Sequence, residues 1–357
     1  MGTSLAVAVI VLGLLIFVHE LGHFVVAKWA GVVVKRFSLG FGPRLLTWQR
    51  GETEYAVSAV PLGGYVKMLG EDPEEEVSIA DAARAFPAQS LPKRVAIVFA
   101  GPLMNLVAAF VAFTLVFAIF GAGSPSEEPK IGGVMEGMPA AAAGLAPGDT
   151  VFAIEGREVA TWDELASTVR ASGGTPLRLE VRRENGAVEE IVVTPERKPE
   201  RSAFGEQLGE AYLIGIERFV EIAPVSVVSA IGLGAYQTYF WIKMTLWSIV
   251  KIFQGVVSAR DLGGPILIVQ AAGQQAELGI EYLIRFIGLI SVNLAVLNLL
   301  PIPILDGGHL LFFGFEALRG RPLAVRHREV AQQVGLVLLL ALMVFVVYND
   351  ISRIVAG

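Results

Sequence analysis

Four stretches of this chain are apolar for long enough to cross a bilayer, and this restricts the fold more than any other feature. They run from about Ser4 to Ala27, over VAIVFAGPLMNLVAAFVAFTLVFAIF at 95–120, from about Tyr282 to Leu305, and over VAQQVGLVLLLALMVFVVY at 330–348. A hydrocarbon core takes about 20 apolar residues of helix. Inside it only helices and closed barrels satisfy their own backbone groups. The composition agrees: 54% of the 357 residues are hydrophobic and 17% are charged, the balance of a membrane protein. The first stretch has no basic residue ahead of it and no small-residue cleavage pattern behind it, so it reads as a span and not as a cleaved leader.

Lys and Arg in short loops set the orientation. The loop from Lys28 to Arg94 carries nine of them, and 307–329 carries Arg319, Arg321, Arg326 and Arg328. Both loops are expected in the cytoplasm, with the N-terminus, the 121–281 region and the C-terminus outside. A fifth apolar stretch, 223–253, contains Lys243 and Lys251 and reads as helices on the outer membrane surface. A crossing there would put the end of the third span on the wrong side and invert the charges of 307–329. The net charge of −6 offers no basic footprint for nucleic acid.

The first span contains HELGH at 19–23. A helix brings residues i and i+4 onto one face. His19 and His23 can therefore bind one metal ion, with Glu20 beside it to act on a metal-bound water, as in zinc peptidases. Ionisable residues inside a span are costly and functional by default. There is no cysteine, so the third protein ligand of a catalytic zinc site has to be His, Asp or Glu. Asp306, in SVNLAVLNLLPIPILDGGHLLF at 291–312, is the preferred candidate, and His309 competes with it. Pro301 and Pro303 break the helix there, and irregular backbone at membrane depth is tolerated only where it is buried in protein or lines a wet cavity. Iron or cobalt would also suit such a donor set.

HELGH in a first span together with NLLPIPILDGG in a later one resembles the site-2 protease family of intramembrane zinc metalloproteases. The order span, basic loop, span, outer region, span, span is similar to its bacterial RseP-type branch. The resemblance implies that His19, His23 and Asp306 bind Zn2+ and that Glu20 is the general base. It implies that Asn293 and Asn298 hydrogen-bond substrate backbone or stabilise developing charge, and that Asn105 of GPLMN belongs with them; interhelical hydrogen bonding is the alternative for all three. FSLGFGPRLLTWQRGETEYAVSAVPLGGYVKMLGE at 37–71 breaks at Gly and Pro as short strands do. It resembles the family's membrane-associated β-region, which would hold substrate extended by strand addition, with Gly63 and Gly64 at the contact.

Between about Lys130 and Pro195 the chain turns soluble in character. VFAIEG, PLRLEVRR and EEIVVTP read as strands, about Thr161 to Ser172 reads as a helix, and Asn185-Gly186 marks a hairpin. MPAAAAGLAPGD resembles a PDZ domain, a fold that binds a peptide terminus; one such unit is present where several relatives of the branch carry two. Residues 199–222 read as a charged linker. DLGGPI at 261–266 resembles a family element, and EDPEEE at 71–76 reads as a solvated loop.

The expected fold is therefore a polytopic α-helical membrane protein with four transmembrane helices, an inserted α+β PDZ-like domain and a membrane-associated β-hairpin region. Its parts are 1–120, 127–197, 198–280 and 281–357. The family implies a multi-pass protein of the bacterial inner membrane that cuts single-span substrates, such as trimmed anti-sigma factors or remnant signal peptides. A non-catalytic scaffold binding unfolded termini is the competing class, and an intact Glu20 argues against it. A transporter would show internal repeats, and none is found.

Overall fold

The structure, a computed structural model, describes residues 2–72, 77–201, 207–258, 260 and 262–356. Most of the acidic run EDPEEE, residues 73–76, and Asp261 of DLGGPI lie outside the described residues. The chain opens with α1 (Gly2–Trp29), β1 (Val34–Arg50), β2 (Thr53–Met68) and α2 (Leu91–Phe120). A β-rich stretch follows: β3 (Ala122–Pro125), β4 (Ile131–Val134), α3 (Pro139–Ala142), β5 (Thr150–Ile154), β6 (Arg157–Glu158), α4 (Trp162–Ala171), β7 (Leu177–Arg182), β8 (Val188–Val193), β9 (Glu196–Arg201), β10 (Gln207–Leu213), β11 (Ile216–Arg218) and β12 (Val220–Ala223). It closes with α5 (Val227–Phe253), α6 (Pro265–Leu278), α7 (Ile280–Asn298), α8 (Asp306–Arg319) and α9 (Val325–Ala356). The chain divides into two compact units, Met1–Val116 with Val227–Ile252 and Ser258–Gly357, and Phe117–Ser226 with Phe253–Val257.

In the first unit four helices among the described residues are long and apolar enough to cross a membrane: Thr3–Trp29, Leu91–Phe120, Ile280–Asn298 and Val325–Val355. The third span is shorter than the hydropathy pattern predicts. It stops at Asn298 rather than Leu305, because Pro301 and Pro303 supply no N–H to a continuing helix. The segment 299–305 turns instead, with the Leu305 N–H donating to the Ile302 carbonyl, and α8 starts at Asp306.

The stretch read as helices on the membrane surface, 223–253, forms one 27-residue helix, α5, which touches two of the spans and is not itself among the helices long and apolar enough to cross. Ala230, Gly234 and Thr238 recur at every fourth position and are its buried residues. Small residues at that spacing let helix backbones approach, and a Cβ on Gly234 would run into Thr114 of α2. Further along, the Thr245 hydroxyl donates to the Asn293 side-chain oxygen of α7 at 2.6 Å. Gly234 and Thr245 are about 16 Å apart along a helix, so α5 meets α2 and α7 at separate points. Hydropathy alone does not reveal these contacts, because the packing signal at Gly234 is residue size.

β1 and β2 each bend once and fold into four sheet segments. Residues 34–39 pair on one side with 64–68 (Phe37 with Val66) and on the other with 54–57 (Phe37 with Tyr55), while 46–50 pair with 53–57 (Thr47 with Ala56). The segment 64–68 is therefore an edge. Ala27, Val32, Val34, Phe37, Val66, Met68 and Ile97 form one buried cluster, which fixes this edge against the end of α1 that carries HELGH.

The second unit has its own core. Its four-stranded sheet runs β6-β5-β7-β8, and Val151, Leu165, Leu179, Val181 and Val193 are buried together beneath α4. Thr161 and Glu164 form a capping box at the start of α4. The sequence 199–222 is not a linker: its described residues form strands. β11 pairs with β4 and β12 with β3, Ala223 lying opposite Ala122. Those partners lie about ninety positions earlier, which is why the charged local sequence masked them. They bring the entry and exit of this unit side by side.

Candidate active site

One turn of α1 places His19 and His23 on the same face, with their Nε2 atoms 3.2 Å apart. They are 8% and 9% exposed. Asp306 arrives from the other end of the sequence, at the first residue of α8. Its Oδ2 is 3.1 Å from His19 Nε2 and its Oδ1 3.6 Å from His23 Nε2. The three ligand atoms lie within 4.8 Å of one another. Gly307 allows this approach: a Cβ there would collide with the carbonyl oxygens of Leu299 and Leu300.

The histidines are oriented from behind. His23 Nδ1 lies 2.8 Å from the Ile97 carbonyl of α2 and must donate to it, which leaves Nε2 free as a ligand. His19 Nδ1 lies 3.3 Å from the amide of Asn105, a residue of 0% exposure whose Oδ1 has no partner among the described residues. When His19 ligates through Nε2, its Nδ1 carries the proton. Asn105 with its amide flipped then accepts a hydrogen bond from that N–H through its own oxygen, which is thereby satisfied. Gly101 completes the cradle, since a Cβ there would collide with His23 Nε2. Two buried imidazoles, each with its Nδ1 engaged, and a carboxylate suit zinc with one position left open.

Glu20 is half-buried beside this group, in the same wall as Tyr65 and Val66 of β2. His19, Glu20, His23 and Asp306 share the wall of one cavity of about 630 Å³. His309 is in the same wall but outside the clustered ligand atoms. Burial holds its imidazole below the ordinary range, and the charge of Arg328 pushes the same way.

The remaining residues expected at the site are not in the cavity wall. Asn105 is turned to His19 and closed off from substrate. Asn293 is committed to Thr245. Asn298 is half-buried at the end of α7. Gly64 packs over Glu20, where a Cβ would sit 3.2 Å from its Cγ, and Gly63 adjoins the Phe41 ring. Conversely, Tyr65, Val66, Arg94, Phe313 and Arg328 line the cavity with no motif in the sequence to mark them.

The family model for peptidase family M50 matches residues 7–342. The chain belongs to that family. An Agrobacterium fabrum protein provisionally named a zinc metalloprotease is 38% identical over 366 aligned positions, covering 97% of this chain and 95% of that one. The zinc metalloprotease RasP of Geobacillus kaustophilus is 32% identical, covering 97% of each. A Clostridium acetobutylicum protein with a provisional zinc metalloprotease name is 34% identical, covering 98% and 97%. Family and donor set agree on a zinc metalloprotease.

Proposed function

We propose that this peptidase is an intramembrane zinc endopeptidase of the cytoplasmic (inner) membrane that cuts single-span proteins within or beside their spans. One observation carries the reading: the donor trio and Glu20 gather at a helix that is itself long and apolar enough to cross a membrane. His19, His23 and Asp306 hold the metal. When bound, zinc supplies Lewis acidity toward the scissile carbonyl and toward a water in its open position. Glu20 takes the proton of the attacking water and passes it to the leaving amine.

The edge segment 64–68 receives the substrate. Gly64 of this edge packs over Glu20, so a strand added there runs past the base. An unwound substrate recovers in that ladder the hydrogen bonds it loses from its own helix. Positive loop charge sets the cavity toward the cytoplasm, with both termini and the second unit outside. That unit serves as a PDZ-like module for a substrate terminus. Substrates are remnant signal peptides or anti-sigma factors already trimmed outside.

The test uses full-length protein in detergent with a tagged single-span substrate. Glu20→Gln is expected to retain zinc and lose cleavage, and Asp306→Asn to lose zinc. Equal cleavage by Glu20→Gln would remove Glu20 as the base, and binding of substrate without cleavage by zinc-loaded wild type would favour a scaffold.

A further inference from the structure

Two arginines, Arg94 and Arg328, line the cavity that contains the metal-ligand group. Arg94 is engaged: its guanidinium bonds both carboxylate oxygens of Glu316 and lies over the Phe313 ring. Arg328 differs. Its Nε is buried and has no hydrogen-bond partner among the described residues. A buried donor left without an acceptor is unfavourable, and an incoming anion would relieve that cost. Arg328 stands near the start of α9, whose first turn contains no acidic residue, so the partial positive charge of the helix N-terminus is also uncompensated there. Glu329 lines the cavity too, but adjacent helix residues do not face each other. Glu71, also in the wall, is occupied by the Met68 N–H.

We propose that Arg328 is a specificity determinant that binds a carboxylate side chain, Asp or Glu, of the substrate close to the cut. This rests on the endopeptidase reading above. A guanidinium pairs with a carboxylate through two parallel hydrogen bonds. The cavity has room for a short peptide segment beside the metal group. Glu20, Glu71, Asp306 and Glu329 share the wall and would repel a more highly charged phosphate, so a single carboxylate is the better match.

The test walks one Asp, with an Asn control at each place, through about ten positions, some three helical turns, at the inner boundary of a tagged single-span substrate. Cleavage is measured with full-length zinc-loaded protein, wild type, Arg328→Gln and Arg328→Lys. Binding of the same substrates is measured by fluorescence anisotropy on Glu20→Gln, with and without Arg328→Gln, which needs no turnover. At one or two adjacent positions Asp should be favoured over Asn by about 10- to 100-fold, the range of a charge-assisted hydrogen bond, and the difference should sit in KM. Arg328→Gln should bring the ratio to about one, and Arg328→Lys should retain part of it. An Asp preference unchanged in Arg328→Gln, or no preference at any position in either arm, overturns the proposal. An Arg328-dependent requirement for phosphatidylglycerol vesicles without any Asp preference also overturns it, since the guanidinium then serves lipid phosphate. Arg328-dependent, Asp-selective binding without cleavage by any form would sink the endopeptidase reading, and with it a role for Arg328 beside a cut, while leaving Arg328 as the carboxylate-binding residue.

Discussion

At the scale of single residues, the metal group depends on atoms behind it. Gly101→Ala places a Cβ into the His23 ring. The variant is expected to remain helical and to bind zinc at least about tenfold more weakly, in the range of lost supporting contacts; circular dichroism and chelator competition measure the two effects. Full zinc content would show that α2 yields instead. Asn105→Ala leaves the His19 Nδ1–H without an acceptor and should weaken zinc by about 10- to 100-fold, while Asn105→Asp, which retains an acceptor, should lose less. Equal losses in both variants would mean that Asn105 acts through packing. The two histidines and Glu20 could be read directly, because their spacing matches one helical turn. Asn105 could be read as a polar residue in a span, but not as a partner of His19. That pairing depends on how α1 and α2 face each other, which no local pattern encodes.

At the scale of elements, polar side chains fasten helices that hydropathy treats as interchangeable. Asp350 of α9 is 2% exposed and accepts the backbone N–H groups of Gly264, Ile266 and Leu267. It caps α6 from another helix. Asp350→Ala should lower stability by about 1–3 kcal/mol, seen as a reduced thermal midpoint in detergent. An unchanged midpoint would mean that water replaces the cap. Thr245→Val frees the Asn293 oxygen and loosens α5 where it meets α7; the α5 backbone beyond Thr245 should then exchange its amide hydrogens faster, and unchanged exchange would leave the Gly234 contact with Thr114 as the anchor. The spans were legible as elements because their signal is length and apolarity. The course of α5 was not, because it depends on small residues meeting a particular neighbour. The strands of 216–223 were hidden by distance: β11 and β12 pair with β4 and β3, which lie far back in the sequence.

At the scale of the whole molecule, the absence of cysteine makes sidedness directly measurable. Single cysteines at Arg321 and Asn185, both exposed, should label from opposite faces: Arg321→Cys only in inside-out vesicles, Asn185→Cys only in right-side-out ones. Labelling of both from one face would reverse the proposed orientation of one loop. The second unit, with its own core and paired ends, should fold as an excised fragment 117–226. Within it Leu179→Ala, at a site of 0% exposure, should cost about 2–5 kcal/mol in urea unfolding. A fragment without a cooperative transition would mean that this unit needs the helices. By itself the sequence determined the membrane class, the number of long apolar spans, and the three residues that gather as a possible metal-binding group with Glu20 beside them, because each of these is written in local composition, in one helical repeat or in a short motif. Only the tertiary structure decided which edge strand lies beside Glu20, which asparagine supports His19, where α5 runs and which cavity arginine keeps a buried nitrogen without an acceptor among the described residues. Each of those depends on residues tens to hundreds of positions apart, set by packing that no local spacing records.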